Sequence, residues 1–173
     1  MENITLEYLI LIILIIAAFV YWKNRQRDEE GRLPDLAVTR EKVLKVIVDF
    51  EVKDGTQKEL DIQKQLRIFL ENEFYHVQGQ KPIGGIHAKQ IDFDIGRERV
   101  GIEIKMAKSL YKKSEFDRLH GQMKSYAEYY PDDNLILLVF GTKSELRNRI
   151  KQTAIIEALD DYPVYYEFIE IPA

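Results

Sequence analysis

Ile91-Asp92-Phe93-Asp94-Ile95, followed after Gly96-Arg97-Glu98-Arg99 by Val100-Gly101-Ile102-Glu103-Ile104-Lys105, is the stretch from which the rest of this chain is best read. Apolar residues alternate at Ile91, Phe93 and Ile95 and again at Val100, Ile102 and Ile104, the period-2 pattern of strands. The residues between them make a short hairpin connection. Counted as two loop residues or as four, it gives the same register, with Asp92 across from Glu103 and Asp94 across from Gly101. Residues two apart share a face, so Asp92, Asp94, Glu103 and Lys105 are expected together on one side and the isoleucines in the core.

Directly opposed residues have Cβ atoms roughly 5 Å apart, and two carboxylates there repel by about 3 kcal/mol at an effective dielectric near 20. A positive charge is required between them. A divalent cation with oxygen ligands supplies it and frees Lys105 to stabilise a phosphate oxygen or steer a water. The plainer alternative is that Lys105 neutralises the pair as a salt-bridge cluster. A bulge in the hairpin would make Asp94, in place of Asp92, the ligand.

Working outward, Gln57–Phe74 has helical spacing, with Leu60, Ile62, Leu66, Phe69 and Leu70 as its apolar stripe and Glu59 in its first turn. Downstream, Phe116–Tyr130 reads as a helix that stacks Arg118, Gln122 and Tyr126 at steps of four. Taken alone, Glu59 suits a helix N-terminus and Gln122 a solvated helix face. Asn134–Phe140 is a continuous apolar run, expected as a buried strand. Ser144–Leu159 reads as one helix and Pro163–Ile171 as a closing aromatic strand, while Gly79–His87, with Gly84-Gly85, reads as a connection or a flap over the site.

The order of helical Glu59, Asp92, Glu103-Ile104-Lys105, Arg118-Leu119-His120-Gly121-Gln122 and a final apolar strand resembles the PD-(D/E)xK nuclease superfamily over about Lys58 to Gly141. The resemblance implies an α/β, restriction-endonuclease-like core: a central mixed sheet of four to five strands flanked by helices. It also implies Mg²⁺ or Mn²⁺ held by Asp92, Glu103 and the Ile104 carbonyl, with Lys105 positioning the attacking water and Glu59 and Gln122 supporting the site. The chain departs from the pattern where Gln90-Ile91 stands in place of the proline before the first acid.

Ile4–Trp22 is apolar apart from Thr5 and Glu7, is unbroken from Tyr8, and ends on an interfacial Tyr21-Trp22 pair. One membrane-spanning helix is expected there, with a buried core helix as the alternative. No basic residue precedes it, whereas Lys23, Arg25, Arg27 and Arg32 follow, which puts the amino terminus outside and the bulk of the chain in the cytoplasm. The expected organisation is an anchor over 1–23, a juxtamembrane linker and amphipathic helix over 24–54, and a nuclease-like domain over 55–173. Within the second segment Lys23–Asp35 reads as linker, and Thr39–Glu51 as a helix capped by Thr39. That helix is expected on the domain, with a dimer or membrane-surface contact as alternatives.

The 173 residues carry a net charge of -4, which gives no general affinity for nucleic acid. Locally, Lys89–Lys124 holds nine Lys or Arg against six Asp or Glu, and Lys108, Lys112, Lys113 and Arg118 form a candidate phosphate-binding rim. Tyr111, Tyr126, Tyr129 and Tyr130 offer rings for base stacking or for the core. His76, His87 and His120 lack paired zinc spacing, there are no cysteines, and neither a phosphate-cradling Gly-Lys-Ser/Thr loop nor a nucleophile motif is present. The partners expected are nucleic acid, DNA favoured over RNA, and the membrane, with a homodimer or a membrane-protein partner also open. The expected role is a membrane-anchored nuclease, for instance in defence against foreign DNA; the alternative is a catalytically silent, tethered scaffold of the same fold.

Overall fold

The structure is a computed structural model describing residues 31–53, 58–84, 89–130 and 133–172, together with Ile12 and Ile15. The apolar stretch expected as an anchor otherwise lies outside the described residues. Among those described, no helix is long and apolar enough to cross a membrane.

Alternation and β-branching build a five-stranded mixed sheet in the order β1 (Val77–Ile83), β2 (Lys89–Ile95), β3 (Val100–Met106), β4 (Leu135–Gly141) and β5 (Val164–Glu170). The first three strands form an antiparallel meander, and β4 and β5 run parallel to β3. Among the described residues four helices longer than two turns accompany it: α1 (Arg40–Val48), α2 (Glu59–Glu73), α3 (Lys113–Tyr129) and α4 (Arg149–Leu159). Both faces of the sheet are covered. On one, Val43, Ile47, Ile62, Leu66 and Leu70 of α1 and α2 pack with Phe93, Ile95, Ile102, Ile104, Ile136 and Leu138; on the other, Leu119, Met123 and Tyr126 of α3 and Ile155 and Leu159 of α4 pack with Leu135, Leu137 and Val139. Double coverage is why β3 and β4 are buried at every residue.

The Thr39 hydroxyl accepts from the Lys42 N–H and caps α1 as expected. Several other expectations are corrected. Gly79–Ile83 belongs to β1, which sits at the sheet edge where Pro82 and Gly79 are tolerated; residues 85–87 of the expected flap lie outside the described set. The end of the expected linker is not free, because Leu33 bridges to Phe74, donating to the Glu73 carbonyl at 2.8 Å and accepting from the Tyr75 N–H at 3.0 Å. The helix expected over Ser144–Leu159 breaks after a single turn, Lys143–Leu146, which is started by a Thr142–Glu145 capping box. The Gln152 side chain takes up the freed Leu146 carbonyl. Leu60, expected on the apolar stripe of α2, is exposed.

The β2–β3 hairpin has a four-residue loop and the expected register, with Asp94 opposite Gly101 and Ile95 opposite Val100. Gly96, Arg97 and Glu98 all have positive φ. A side chain at Gly96 would meet Val38 at 2.8 Å, so this position of the turn needs glycine twice over.

Candidate functional site

Alternation in β2 fails at Asp92. Phe93 and Ile95 join the cluster under α1 and α2, but Ile91 joins the cluster under α3. On the facing strand, Gly79 pairs with Phe93 and Lys81 with Ile91, while Gln80 between them has φ +51° and no ladder partner. The irregularity separates the two aspartates that strict alternation would place together. Asp92 lines a cleft of about 960 Å³ with Glu59, Glu103, Lys105, Arg118 and Gln122. Asp94 does not line it. Its carboxylate accepts from Tyr130 Oη (2.8 Å), Lys81 Nζ (3.2 Å) and the Glu98 N–H (2.9 Å), and so ties the hairpin loop to α3.

One further step in the hairpin register would put Asp92 opposite Glu103, but there the aspartate side chain takes over from the ladder. Its Oδ2 accepts the Ile104 N–H at 2.7 Å, and its Oδ1 accepts from both Gln63 Nε2 and Gln80 Nε2 at 2.8 Å. These donors favour the charged form, yet burial outweighs them and raises the Asp92 pKa. Glu103 is 1% exposed. Burial first, then the Asp92 charge, lifts its carboxyl to about 7 against the opposing pull of Lys105. Glu59, the first residue of α2, accepts the Met106 N–H at 3.3 Å, and its pKa is also raised, chiefly by burial.

The Glu103 oxygens are unequal. Oε1 accepts from Lys105 Nζ and from Gln122 Nε2 (3.0 Å), whereas Oε2 is buried with no hydrogen-bond partner. Lys105 Nζ also donates to the Ile104 carbonyl at 3.0 Å. The Gln122 amide is held from behind, since its Nε2 also donates to Tyr126 Oη at 3.1 Å and that hydroxyl donates to the Gln90 carbonyl at 2.5 Å. Lys105 is thus hydrogen-bonded to two of the three expected cation ligands, the Glu103 carboxylate and the Ile104 carbonyl.

A divalent cation fits these residues. Asp92, Glu103 and the Ile104 carbonyl are hard oxygen donors, Glu103 Oε2 is an orphaned buried acceptor, and burial raises the pKa of Glu59, Asp92 and Glu103 alike. Among the described residues no group of three or more His, Cys, Asp or Glu forms a metal cage by side chains alone. The oxygen donors open to a cation here are two carboxylates and a main-chain carbonyl.

The expected basic rim is only partly there. Arg118 lines the cleft, paired with Glu115 at 2.7 Å, but Lys108, Lys112 and Lys113 are exposed and do not line it. A single turn, Ala107–Leu110, leads the chain away from the end of β3 before α3 begins, and Lys113 borders a separate hollow with Leu110 and Phe116. None of the four tyrosines lines the cleft: Tyr126 and Tyr130 are core, Tyr129 bonds Glu98, and Tyr111 donates to the Glu145 carbonyl at 2.5 Å. Among the lining residues not foreseen from sequence, three make side-chain bonds at the site. Lys89 donates to Ser125 Oγ (2.9 Å) and the Gly121 carbonyl, and Gln63 and Gln80 hold Asp92. Only Gln63 carried a signal, standing one helical turn after Glu59 on the same face. No protein-family model, curated protein or solved structure matches this chain.

Proposed function

We propose that this chain is a metal-dependent nuclease of the PD-(D/E)xK type, hydrolysing phosphodiester bonds of nucleic acid, DNA in preference to RNA. The observation that carries the reading is the meeting of Glu59, Asp92, Glu103, Lys105 and Gln122, from two strands and two helices, in one open cleft. The order of helix, three-stranded meander, helix and strand supports it.

Asp92, Glu103 and the Ile104 carbonyl would hold Mg²⁺ or Mn²⁺, which when bound supplies Lewis-acid polarisation of the phosphate and a more acidic water. Lys105, buried in the lining of the cleft, would stabilise charge developing on the phosphate oxygens and hold the attacking water. Gln122, fixed through Tyr126 and Gln90, keeps Glu103 turned into the cleft. Glu59 supports the end of β3 through Met106, and Arg118 offers its guanidinium to a phosphate at the rim.

The enzyme would be held at a membrane by Ile4–Trp22 with the catalytic domain in the cytoplasm, a placement suited to meeting incoming DNA. The decisive experiment offers labelled single- and double-stranded DNA and RNA to the full-length chain in Mg²⁺, Mn²⁺ or EDTA, beside Asp92→Ala and Lys105→Ala. Metal-dependent cutting lost in both variants, a fall of about 10²-fold or more, is the expected result. Folded protein that neither cuts nor binds metal would favour the second reading, a silent tethered module. The Lys105–Glu103 ion pair is the observation on that side, since it already neutralises one acid.

A further inference from the structure

The Asp92 carboxylate is bonded by more donors than its local strand geometry requires. The Ile104 N–H alone would satisfy Oδ2, yet Oδ1 takes two side-chain amides, from Gln63 on α2 and Gln80 on β1. Gln80 reaches it only because its backbone leaves the extended region. At φ +51° it interrupts β1 between two residues that pair normally with β2. Left-handed backbone is costly for any residue with a side chain, and glycine would adopt it freely. A glutamine here therefore gains nothing for the backbone; what it adds is an amide aimed at Asp92.

We propose that Gln63 and Gln80 form an amide clamp whose task is to orient Asp92 as a cation ligand, making both of them positioning residues of the site. The proposal rests on the metal-dependent reading above. Three donors arriving from a helix, an edge strand and a neighbouring strand leave the carboxylate one orientation, and they do so with no positive charge that would compete with a cation. Outer partners of this kind tune ligand orientation, and their loss lowers metal affinity by about 10–100-fold.

The clamp differs from a merely structural contact in a measurable way. Gln80→Gly removes the amide and relieves the left-handed backbone, so urea unfolding should show a variant at least as stable as the parent. Mn²⁺ affinity, read by electron paramagnetic resonance of free Mn²⁺ with the full-length chain, should nevertheless fall about 10-fold or more. Gln63→Ala, at a helical site that accepts alanine well, should behave in the same way. Gln65→Ala is the control, because Gln65 lies on the same helix but accepts from the Lys53 N–H at 3.0 Å, away from the cleft. It should leave Mn²⁺ affinity unchanged. If the parent binds Mn²⁺ and either clamp variant binds it equally well, the clamp is refuted and the metal-dependent reading stands. If the folded parent binds no Mn²⁺, that reading fails and the clamp falls with it.

Discussion

Replacing Glu103 by glutamine tests the electrostatics of the cleft without any substrate. The side chain is almost fully buried, so the isosteric amide keeps its shape and deletes its charge. Lys105 retains an acceptor in the new amide oxygen and in the Ile104 carbonyl, and Asp92 remains beside it. Burial, then the Asp92 charge, moves the Glu103 carboxyl from 4.5 to about 7. Because the folded-state pKa is the higher one, the folded protein binds the extra proton. Its stabilising share is fully present below about pH 4.5 and is lost as pH rises through about 7. For one group with that displacement, linkage gives a loss of about 2–3 kcal/mol between about pH 5 and about pH 8.

Urea unfolding of the full-length chain in EDTA should therefore show parent and Glu103→Gln within about 1 kcal/mol of each other near pH 5, and the variant ahead by about 2–3 kcal/mol near pH 8. Mn²⁺ at about a hundred times its dissociation constant should return about 2.7 kcal/mol to the parent near pH 8 and much less to the variant. A variant no more stable than the parent at the higher pH would mean that Glu103 ionises in the folded protein at no cost, against a raised carboxyl pKa.

Three further outcomes follow from the same geometry. Lys105→Met should abolish cleavage while leaving Mn²⁺ affinity equal or higher, because the ammonium bonded to Glu103 and the Ile104 carbonyl is gone; titration with Mn²⁺ separates this from a simple loss of structure. Arg118→Ala should weaken nucleic-acid binding and reduce its salt dependence by about one charge, whereas Lys112→Ala and Lys113→Ala should change neither, as binding isotherms at several salt concentrations would show. Gly101→Ala should destabilise the domain by about 1–3 kcal/mol in urea unfolding, since its Cβ would sit 2.6 Å from both Ile91 Cδ1 and Tyr130 Cε2.

Local periodicity carried the strand pair, the cap on Thr39 and the step-of-four row on α3, because each depends on residues a few positions apart. Asp92, Glu103 and Lys105 were legible for that reason, and Gln122 from its row with Arg118 and Tyr126 together with the family resemblance. The basic rim failed on the same principle: Lys108, Lys112 and Lys113 are near Lys105 in sequence, but the turn at Ala107–Leu110 carries them away from it. Asp94 failed because a strict period of two cannot see one irregular residue.

Which segments alternate, which spiral and which side chains the hairpin brings close can be read along the chain, since these follow from steric preferences and spacing over a few residues. Packing between distant elements is what turns Asp92 and not Asp94 to the cleft, makes β1 a strand despite Gly79 and Pro82, and brings Gln63 and Gln80 onto one oxygen. Those outcomes depend on a left-handed residue in an edge strand and on a helix packed across it. Contacts between elements far apart in the chain are settled by packing, and no local pattern encodes them.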